Sequence, residues 1–194
     1  MIKSNIKKIV LGVALLATPL MAGYEFQTKS LVGIEGGGST LDYEQGTNLN
    51  NTQGSTGLAN LGLKLGAETE DFRAFLSGRY FYDPSNRYDY MTTFGVEIQY
   101  MFNVSKAFNI YMGGNGGIAN AKWREDGETF SRTISNPYFG GDIGTNIHLG
   151  KSTDLELGGR VMSIQATNTK NGTSSRINNI INVYASIIFK WKMD

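Results

Sequence analysis

The segment from Val183 to Trp191 alternates apolar residues with mostly polar ones and ends in an aromatic residue. Successive side chains of a β-strand point to opposite faces, so a period of two requires one apolar and one polar environment. Ile188 alone interrupts the polar face. A water-soluble sandwich and a membrane barrel both offer such a pair of environments. The segment therefore predicts a strand and leaves these two alternatives open.

Residues 1–22 have the pattern of a secretory signal peptide. Three lysines precede an apolar run from Ile9 to Leu16, and Pro19 and Ala22 follow it. These are the basic, apolar and small-residue parts of a cleavable signal. The run is shorter than the ~20 apolar residues of a membrane-spanning helix. We predict cleavage after Ala22 and a barrel domain over 23–194; an uncleaved anchor is the alternative.

Composition narrows the classes of function. The chain has no cysteine, which excludes a disulfide scaffold, a thiolate metal site and a lipid-modified cysteine. Removal of the three signal-peptide lysines lowers Lys plus Arg from 18 to 15, against 17 Asp plus Glu. This near-neutral balance argues against nucleic acid as a partner. No later segment is apolar enough for a membrane helix, so a membrane role would depend on strands.

Eight segments with a period of two follow the signal peptide, each close to the roughly 9 to 11 residues of a tilted membrane strand. We predict strands at about 30–41, 58–67, 72–82, 91–102, 107–119, 137–149, 154–164 and 177–191. Short turns alternate with longer connections rich in Asn, Thr, Gly and Ser, at 42–57, 83–90, 120–136 and 165–176. The pattern predicts an all-β fold: an eight-stranded antiparallel up-and-down transmembrane β-barrel with short periplasmic turns and four longer extracellular loops.

Aromatic residues collect near the ends of the predicted strands. Amphipathic rings are favoured at the two water interfaces of a bilayer. We therefore predict seven membrane-interface aromatics: Tyr80, Tyr82, Tyr100, Phe102, Phe108, Phe189 and Trp191. The alternative is that these residues are ordinary strand formers.

Charged residues within the strands fall on the face opposite the apolar one. Six lie at a similar height when counted from the short turns: Glu35, Lys64, Arg79, Glu97, Asp142 and Arg160. The interior of an eight-stranded barrel is just wide enough for side chains to fill it. Because an unpaired buried charge costs several kcal/mol, we predict that these acids and bases pair as a lumen charge network. A catalytic carboxylate cluster and a route for small solutes are the alternatives.

The chain offers little for catalysis. His148 is the only histidine, and neither alternation nor height brings it together with Ser152 and Asp142. We interpret it as a partnered histidine of the lumen or a turn. One histidine and no cysteine also make a metal site a poor hypothesis. We expect no catalytic, cofactor-binding or metal-ligating residues, and no cofactor.

Together, the signal peptide, the eight segments and the aromatic last strand resemble the small outer-membrane barrel family that includes OmpA-type, OmpX-type and opacity proteins. The segment Leu31–Gly37 is similar to the first strand of that family. The resemblance implies location in the cell outer membrane, contact with outer-membrane lipid and lipopolysaccharide, and assembly by the barrel-insertion machinery. The chain lacks the His-x-Ser arrangement of lipid A deacylases, which have a similar barrel size.

The predicted function is that of a non-enzymatic integral outer-membrane barrel with a structural and surface-interaction role, in adhesion or envelope integrity. Loops on a rigid scaffold commonly carry recognition. Trp123 and Arg124 of the third long loop are candidate contacts for host or cell-surface molecules. Loops that only solvate the rim, a narrow small-solute pore, a lipid A-modifying enzyme and a soluble lipocalin-like binder are the alternatives.

Overall fold

Eight antiparallel strands form a closed barrel in the computed structural model, in the order β1 to β8. The structure describes residues 28–47, 50–84, 88–123, 131–170 and 173–192, so the predicted signal peptide lies outside the described residues. The strands are Lys29–Thr47 (β1), Asn50–Glu68 (β2), Phe72–Tyr82 (β3), Tyr88–Asn103 (β4), Phe108–Trp123 (β5), Arg132–His148 (β6), Thr153–Lys170 (β7) and Thr173–Lys192 (β8). The predicted eight-stranded up-and-down barrel is confirmed.

The first and last strands close the barrel. β1 pairs with β8 from Lys29 opposite Lys192 to Gly46 opposite Ser174. Lipid offers no hydrogen-bond partner, so only a closed barrel satisfies the backbone of membrane-spanning strands. In the part of the chain that the structure describes, no helix is long and apolar enough to cross a membrane.

Most of the predicted long loops are strand. β1 and β2 pair without interruption as far as Thr47 opposite Asn50, so 42–57 forms a hairpin. Large parts of 120–136 and 165–176 also belong to strands. The predicted loop bounds at 42–57, 120–136 and 165–176 are therefore too wide, because Asn, Thr, Ser and Gly here form the water-facing side of strands. We call this the hairpin end of the barrel, and the opposite end the short-turn end.

The side-chain polarity of the wall inverts along the strands. In the middle of β8, Val183 and Ile187 point outward and are 68% and 37% exposed, whereas Asn182 points inward and is buried. Nearer the hairpin end, the same strand turns Ile180 and Ile177 inward, and both are fully buried. The outer face is thus apolar over one part of the wall and polar beyond it, as a wall that passes from lipid into water requires.

An apolar belt surrounds the barrel below this inversion. Its members are large hydrophobic side chains that are 37–68% exposed, among them Ile34, Leu61, Leu63, Leu65, Phe94, Val96, Ile98, Ile110, Met112, Phe139, Ile143, Leu157, Val161, Ile181, Val183 and Ile187. A water-soluble barrel has apolar side chains inside and polar ones outside. The exposed apolar belt therefore argues against the lipocalin-like alternative. The seven predicted interface aromatics also lie on the outer face, with Tyr80 and Tyr82 toward the hairpin end and the other five toward the short turns.

Beyond the belt, the wall divides into two lobes. Pairing of β6 with β7 ends at Phe139 opposite Ser163, although both strands continue. Pro137 of β6 has no N–H to donate, and a bulge in β7 places Gln165 at a φ of 49°. Pairing of β2 with β3 stops at a similar level. The result is a four-stranded lobe of β7, β8, β1 and β2 and a three-stranded lobe of β4, β5 and β6.

An apolar cap fills the space between the lobes and closes this end of the lumen. In the described part of the chain it consists of fifteen buried residues: Leu41, Leu58, Phe81, Tyr88, Met91, Ala119, Ala121, Trp123, Ile134, Tyr138, Met162, Ile164, Ala166, Ile177 and Ile180. None is more than 6% exposed. The hairpins therefore share a hydrophobic core of their own, which lies inside the barrel, beyond the level of the belt toward the hairpin end.

The close approach of β6 to β7 can be tested with one glycine. A Cβ at Gly140 would overlap the backbone carbonyl of Val161, whereas nothing lies within 4 Å of a Cβ at Gly38. We expect Gly140→Ala to lower the free energy of unfolding by about 1–3 kcal/mol. Gly38→Ala, the matched control, should change it by less than about 0.5 kcal/mol. Urea unfolding in detergent micelles, read from the gel mobility of unboiled samples, measures both; equal midpoints would contradict this contact.

Candidate functional site

Two polar layers occupy the lumen below the apolar cap. The central layer lies within the belt, and the lower layer lies at the short-turn end. Leu31, Phe75 and Ile188 form a small buried apolar cluster between them. Ile188, the exception in the alternation of the last strand, thus fills an apolar position inside the barrel.

Five of the six predicted lumen residues meet in one ion-pair network in the central layer. Glu35 lies 2.7 Å from Arg79 Nε, 3.1 Å from Lys64 Nζ and 3.2 Å from Arg160 Nη1. Glu97 binds the same three cations, at 3.1 Å from Arg160 Nη2, 3.5 Å from Lys64 Nζ and in direct contact with Arg79. All five side chains are buried. Each carboxylate therefore neutralises charge from three strands at once.

Glu156 completes the network, and the sequence prediction omitted it. Its Oε1 lies 3.1 Å from Lys64 Nζ and accepts a 3.0 Å hydrogen bond from the Tyr184 hydroxyl. The Tyr184 hydroxyl also lies 2.8 Å from that of Tyr111. The alternation of β7 does place Glu156 inward, but it stands two inward positions closer to the short turns than Arg160. The prediction grouped residues by their height along the strands and so left Glu156 out. The Lys64 side chain is nevertheless long enough to reach it.

Glycines make room for the tyrosines of this layer. A Cβ at Gly144 or Gly158 would overlap the Tyr111 hydroxyl. The Tyr184 ring in turn lies 4.6 Å from Lys64 Nζ and 4.3 Å from Arg160 Cζ, measured to the ring centroid. These are cation–π distances, which suit desolvated cations. Small residues on β6 and β7 thus allow aromatic rings to complete the charged layer.

Asp142 lies in the central layer but outside the ion pairs. Its cross-strand neighbour is Arg160, whose guanidinium binds two other carboxylates. Asp142 instead accepts hydrogen bonds from Gln99 Nε2 at 3.0 Å and Asn115 Nδ2 at 3.5 Å. The layer thus contains four carboxylates and three basic side chains among the described residues, and Asp142 is the carboxylate without an ionic partner there.

A second ion-pair network, which the sequence prediction also missed, forms the lower layer. Arg73 binds Glu68, with 2.5 Å between Nε and Oε2, and also binds Asp154. Asp154 Oδ1 lies 2.9 Å from Lys190 Nζ and 2.8 Å from His148 Nδ1. His148 is thus partnered by a carboxylate. Alternation places all five side chains on the inner face, so the sequence pattern held the information needed to predict this second network.

Trp123 is not a surface residue. Its side chain is 1% exposed and belongs to the apolar cap, where its ring centroid lies 5.9 Å from that of Tyr88. β5 extends as far as Trp123 and places it at an inward position. The prediction of a surface contact is therefore wrong for this residue. Arg124 lies outside the described residues.

Most charged side chains of the barrel interior are held in ion pairs with one another. The described residues contain no group of three histidine or acidic side chains placed to hold a metal ion. Ion pairs occupy the lumen in both layers, and the apolar cap covers them at the hairpin end. The surfaces that a ligand can reach most directly are therefore the outer faces of the two lobes.

The closed strand order, the polar interior and the exposed apolar belt define a small transmembrane β-barrel. The chain is similar to Neisserial surface protein A (NspA), with 16% identity over 82% of this chain and 97% of that chain and a TM-score of 0.59. It is also similar to outer membrane protein OprG from Pseudomonas aeruginosa, with 10% identity over 88% and 100% of the two chains and a TM-score of 0.52. No protein-family model and no curated protein matches the chain.

A more remote match is the outer membrane protease OmpT from Escherichia coli, with 8% identity over 88% of this chain and 99% of that chain and a TM-score of 0.46. Likenesses at these identities show the fold. A fold alone does not decide function, so the function has to be argued from the residues.

Two substitutions that remove the same charge should differ in effect. Glu97→Gln breaks three buried ion pairs, and we expect it to cost about 3–5 kcal/mol of unfolding free energy. Among the described residues, Asp142→Asn breaks no ion pair, and its new N–H can donate to Asn115 Oδ1, which has no hydrogen-bond partner there. We expect a change below about 1 kcal/mol for this control. Urea unfolding in micelles measures both, and an equal loss of stability would contradict the distinct position of Asp142.

Proposed function

We propose that this protein is a non-enzymatic outer-membrane barrel whose hairpin end presents a rigid surface for interactions outside the cell. The observation that carries the proposal is the apolar cap. Its fifteen buried residues hold the hairpins in two folded lobes instead of leaving them as free loops. Adhesion or a role in envelope integrity are the two forms of interaction that this surface suits.

Rigidity favours recognition for an entropic reason. A surface that is ordered before binding loses less conformational freedom when a partner binds. Across the gap between the lobes, Asn168 Nδ2 donates to the Thr133 carbonyl at 3.2 Å, and Arg132 Nη1 donates to the Asn168 carbonyl at 3.3 Å. These hydrogen bonds join β6 to β7 where the strand ladder has ended. They support a single arrangement of the two lobes.

The filled lumen supports a non-conducting barrel over the pore alternative. An ion that crossed the barrel would have to pass the apolar cap and both ion-pair layers. Glu35 and Glu97 are fully buried in the central layer, as is Asp154 in the lower layer. Opening a path would break buried ion pairs, at several kcal/mol for each unpaired charge.

The belt and the aromatic rings support the outer membrane as the location. Among membrane proteins, closed barrels with short turns at one end span this membrane, with the short turns in the periplasm. The predicted signal peptide agrees with export, and the barrel-insertion machinery would assemble the chain. Outer-membrane lipid and lipopolysaccharide would then contact the belt and the interface aromatics.

The ion pairs also support a non-enzymatic role. Glu97 and Glu156 are buried below the apolar cap, and cations and a tyrosine hydroxyl occupy their oxygens. His148 lies against Asp154 at the short-turn end, which faces away from the outer leaflet in this orientation. A general base for a lipid A-modifying enzyme would have to reach that leaflet.

The role of the cap can be tested with two tryptophan substitutions. Trp123→Ala removes a buried ring, and we expect a local loss of about 3–5 kcal/mol that loosens the lobes. Trp191→Ala removes an exposed ring at the other end and is the matched control. The gel shift should show a folded barrel in both variants. With protease added to intact cells, only Trp123→Ala should be cleaved.

The same two variants test the function. Cells that carry the wild-type protein or Trp191→Ala should attach to a panel of host-cell and bacterial surfaces more than cells without the gene, and Trp123→Ala should lose this difference. Full attachment by a protease-sensitive Trp123→Ala would contradict the role of the lobes. If the role is envelope integrity, cells with the wild-type protein or Trp191→Ala should resist detergent better than cells without the gene. Trp123→Ala should lose this difference.

Conductance tests the closed lumen. In planar bilayers, we expect the wild-type barrel to give no sustained current steps, because the cap and the ion pairs leave no polar path. Glu97→Gln weakens the central layer but leaves the cap, so it should remain silent as well. Long-lived openings of the wild-type protein would support the pore alternative instead.

A further inference from the structure

Two amide side chains hold Asp142 on the side of the lumen formed by β4, β5 and β6. Gln99 of β4 donates from Nε2 to Asp142 at 3.0 Å, and Asn115 of β5 donates from Nδ2 at 3.5 Å. Gln99 Nε2 also lies 3.4 Å from Glu156 Oε1. We call Gln99, Asn115 and Asp142 the Asp142 cluster. It lies beside the ion-pair network of the central layer, and its carboxylate takes no part in the ion pairs.

A glycine brings the cluster together. Gly113 of β5 pairs with Gln99 on one side and with Asp142 on the other, so the three residues form one row across the wall. A Cβ at Gly113 would lie 3.1 Å from Asp142 Oδ1 and 3.1 Å from Gln99 Cγ. Because glycine has no side chain, a carboxamide and a carboxylate from two strands that are not neighbours can meet inside the barrel.

Two oxygen atoms of the cluster lack a partner. Gln99 Oε1 and Asn115 Oδ1 are buried and accept no hydrogen bond from any described residue. The two side chains are 0% and 7% exposed. Each oxygen belongs to the same amide as the nitrogen that binds Asp142, so both oxygens lie close to this carboxylate. Buried polar atoms are nearly always paired with protein, water or an ion, so these atoms indicate a shared ligand.

The charge of the central layer favours a cation as this ligand. Among the described residues, the layer contains four carboxylates and three basic side chains, so it has one negative charge in excess when all are ionised. Lys29 adds a positive charge to the lower layer, but its side chain is 37% exposed and water can solvate it. Asp142 is only 5% exposed. A buried charge is normally paired or coordinates a metal ion.

The cluster suits a monovalent ion better than a divalent one. A single positive charge makes the central layer neutral, whereas a divalent ion would leave it with a positive excess. Ca²⁺ takes about 6–8 oxygen ligands, commonly from several carboxylates. The described residues hold no group of three acidic or histidine side chains placed for such an ion. One carboxylate and two amide carbonyls are nevertheless oxygen ligands of the kind that hard cations prefer.

We propose that the Asp142 cluster binds a monovalent metal cation, Na⁺ or K⁺, through the Asp142 carboxylate, Gln99 Oε1 and Asn115 Oδ1. The inference goes beyond the proposed function, because it concerns the lumen and not the outer lobes. It requires no conduction, since the apolar cap closes the lumen at the hairpin end. The cation is a fixed part of the folded barrel, so its binding stabilises the folded state over the unfolded one.

Urea unfolding of the purified full chain in zwitterionic micelles tests the proposal. The buffer contains no Na⁺ or K⁺, and NaCl, KCl or choline chloride is added at 0.3 M. Choline screens the ion pairs at equal ionic strength but is too large for the cluster. We expect the folding equilibrium constant to be about tenfold higher in NaCl or KCl than in choline chloride, as for a Kd on the order of 30 mM.

Variants locate the site. Asp142→Asn removes the excess negative charge, so its stability should be equal in the three salts, and in choline chloride it should match the wild type. Asn115→Ala removes one oxygen ligand and should reduce the tenfold difference to about threefold or less. Asp89→Asn, the matched control, removes an exposed carboxylate that pairs with Lys122 and should keep the full difference. The gel shift checks that each barrel is folded.

NMR of the wild-type protein gives a measurement that needs no variant. The side-chain NH₂ signals of Gln99 and Asn115 should shift on addition of NaCl or KCl and stay in place with choline chloride. A response to either metal ion supports the site.

Four outcomes would overturn the proposal. They are equal unfolding midpoints of the wild type in the three salts, an effect of NaCl that persists in Asp142→Asn, an effect of CaCl₂ with none of NaCl or KCl, and a ¹³C carboxyl shift that shows Asp142 protonated at pH 7 in 0.3 M NaCl. The last outcome would mean that a proton, and not a metal ion, neutralises the layer.

Discussion

The architecture of the barrel follows from backbone hydrogen bonding in lipid. Lipid cannot satisfy an N–H or C=O group, so β1 must pair with β8 and the wall must close. A closed barrel of eight strands has a lumen that its own side chains fill. Charges that point inward are therefore forced within ion-pair distance. Glu35 and Glu97, each beside three cations, are the direct consequence.

The second constraint is the passage of the same strands from lipid into water. β8 places Val183 outward against lipid, and farther along turns Ile180 and Ile177 inward, away from water. The inversion requires a second core, which the apolar cap provides beyond the belt. One continuous strand can therefore serve as a membrane wall and as part of an outer lobe.

Charge pairing in the lumen contributes more to specificity than to net stability. Removing charges from water costs about as much as their attraction returns, so a buried network is weak support for stability by itself. Breaking it is costly, however, which penalises every register that separates Lys64 from its three carboxylates. Asp142 departs from this rule, because amide donors rather than a basic side chain hold it. We infer that the network selects one register of the barrel.

Alternation along the chain predicts the number of strands, their direction and the face of the side chains in the lipid-facing part of the wall, because a period of two is a local property of an extended chain. It does not predict where the strands end or where a bulge changes the face of a side chain, as it does at Ile177. Asn, Thr, Ser and Gly occur equally in loops and on the wet side of hairpins, so 42–57 reads as a loop until pairing and the apolar cap are seen. The three-dimensional structure also sets which charged side chains pair. Lys64 pairs with Glu156, and Arg160 pairs with Glu35 rather than with its cross-strand neighbour Asp142. These side chains are long enough to cross the lumen, so their pairing depends on distances between strands, which the pattern of a single strand does not contain.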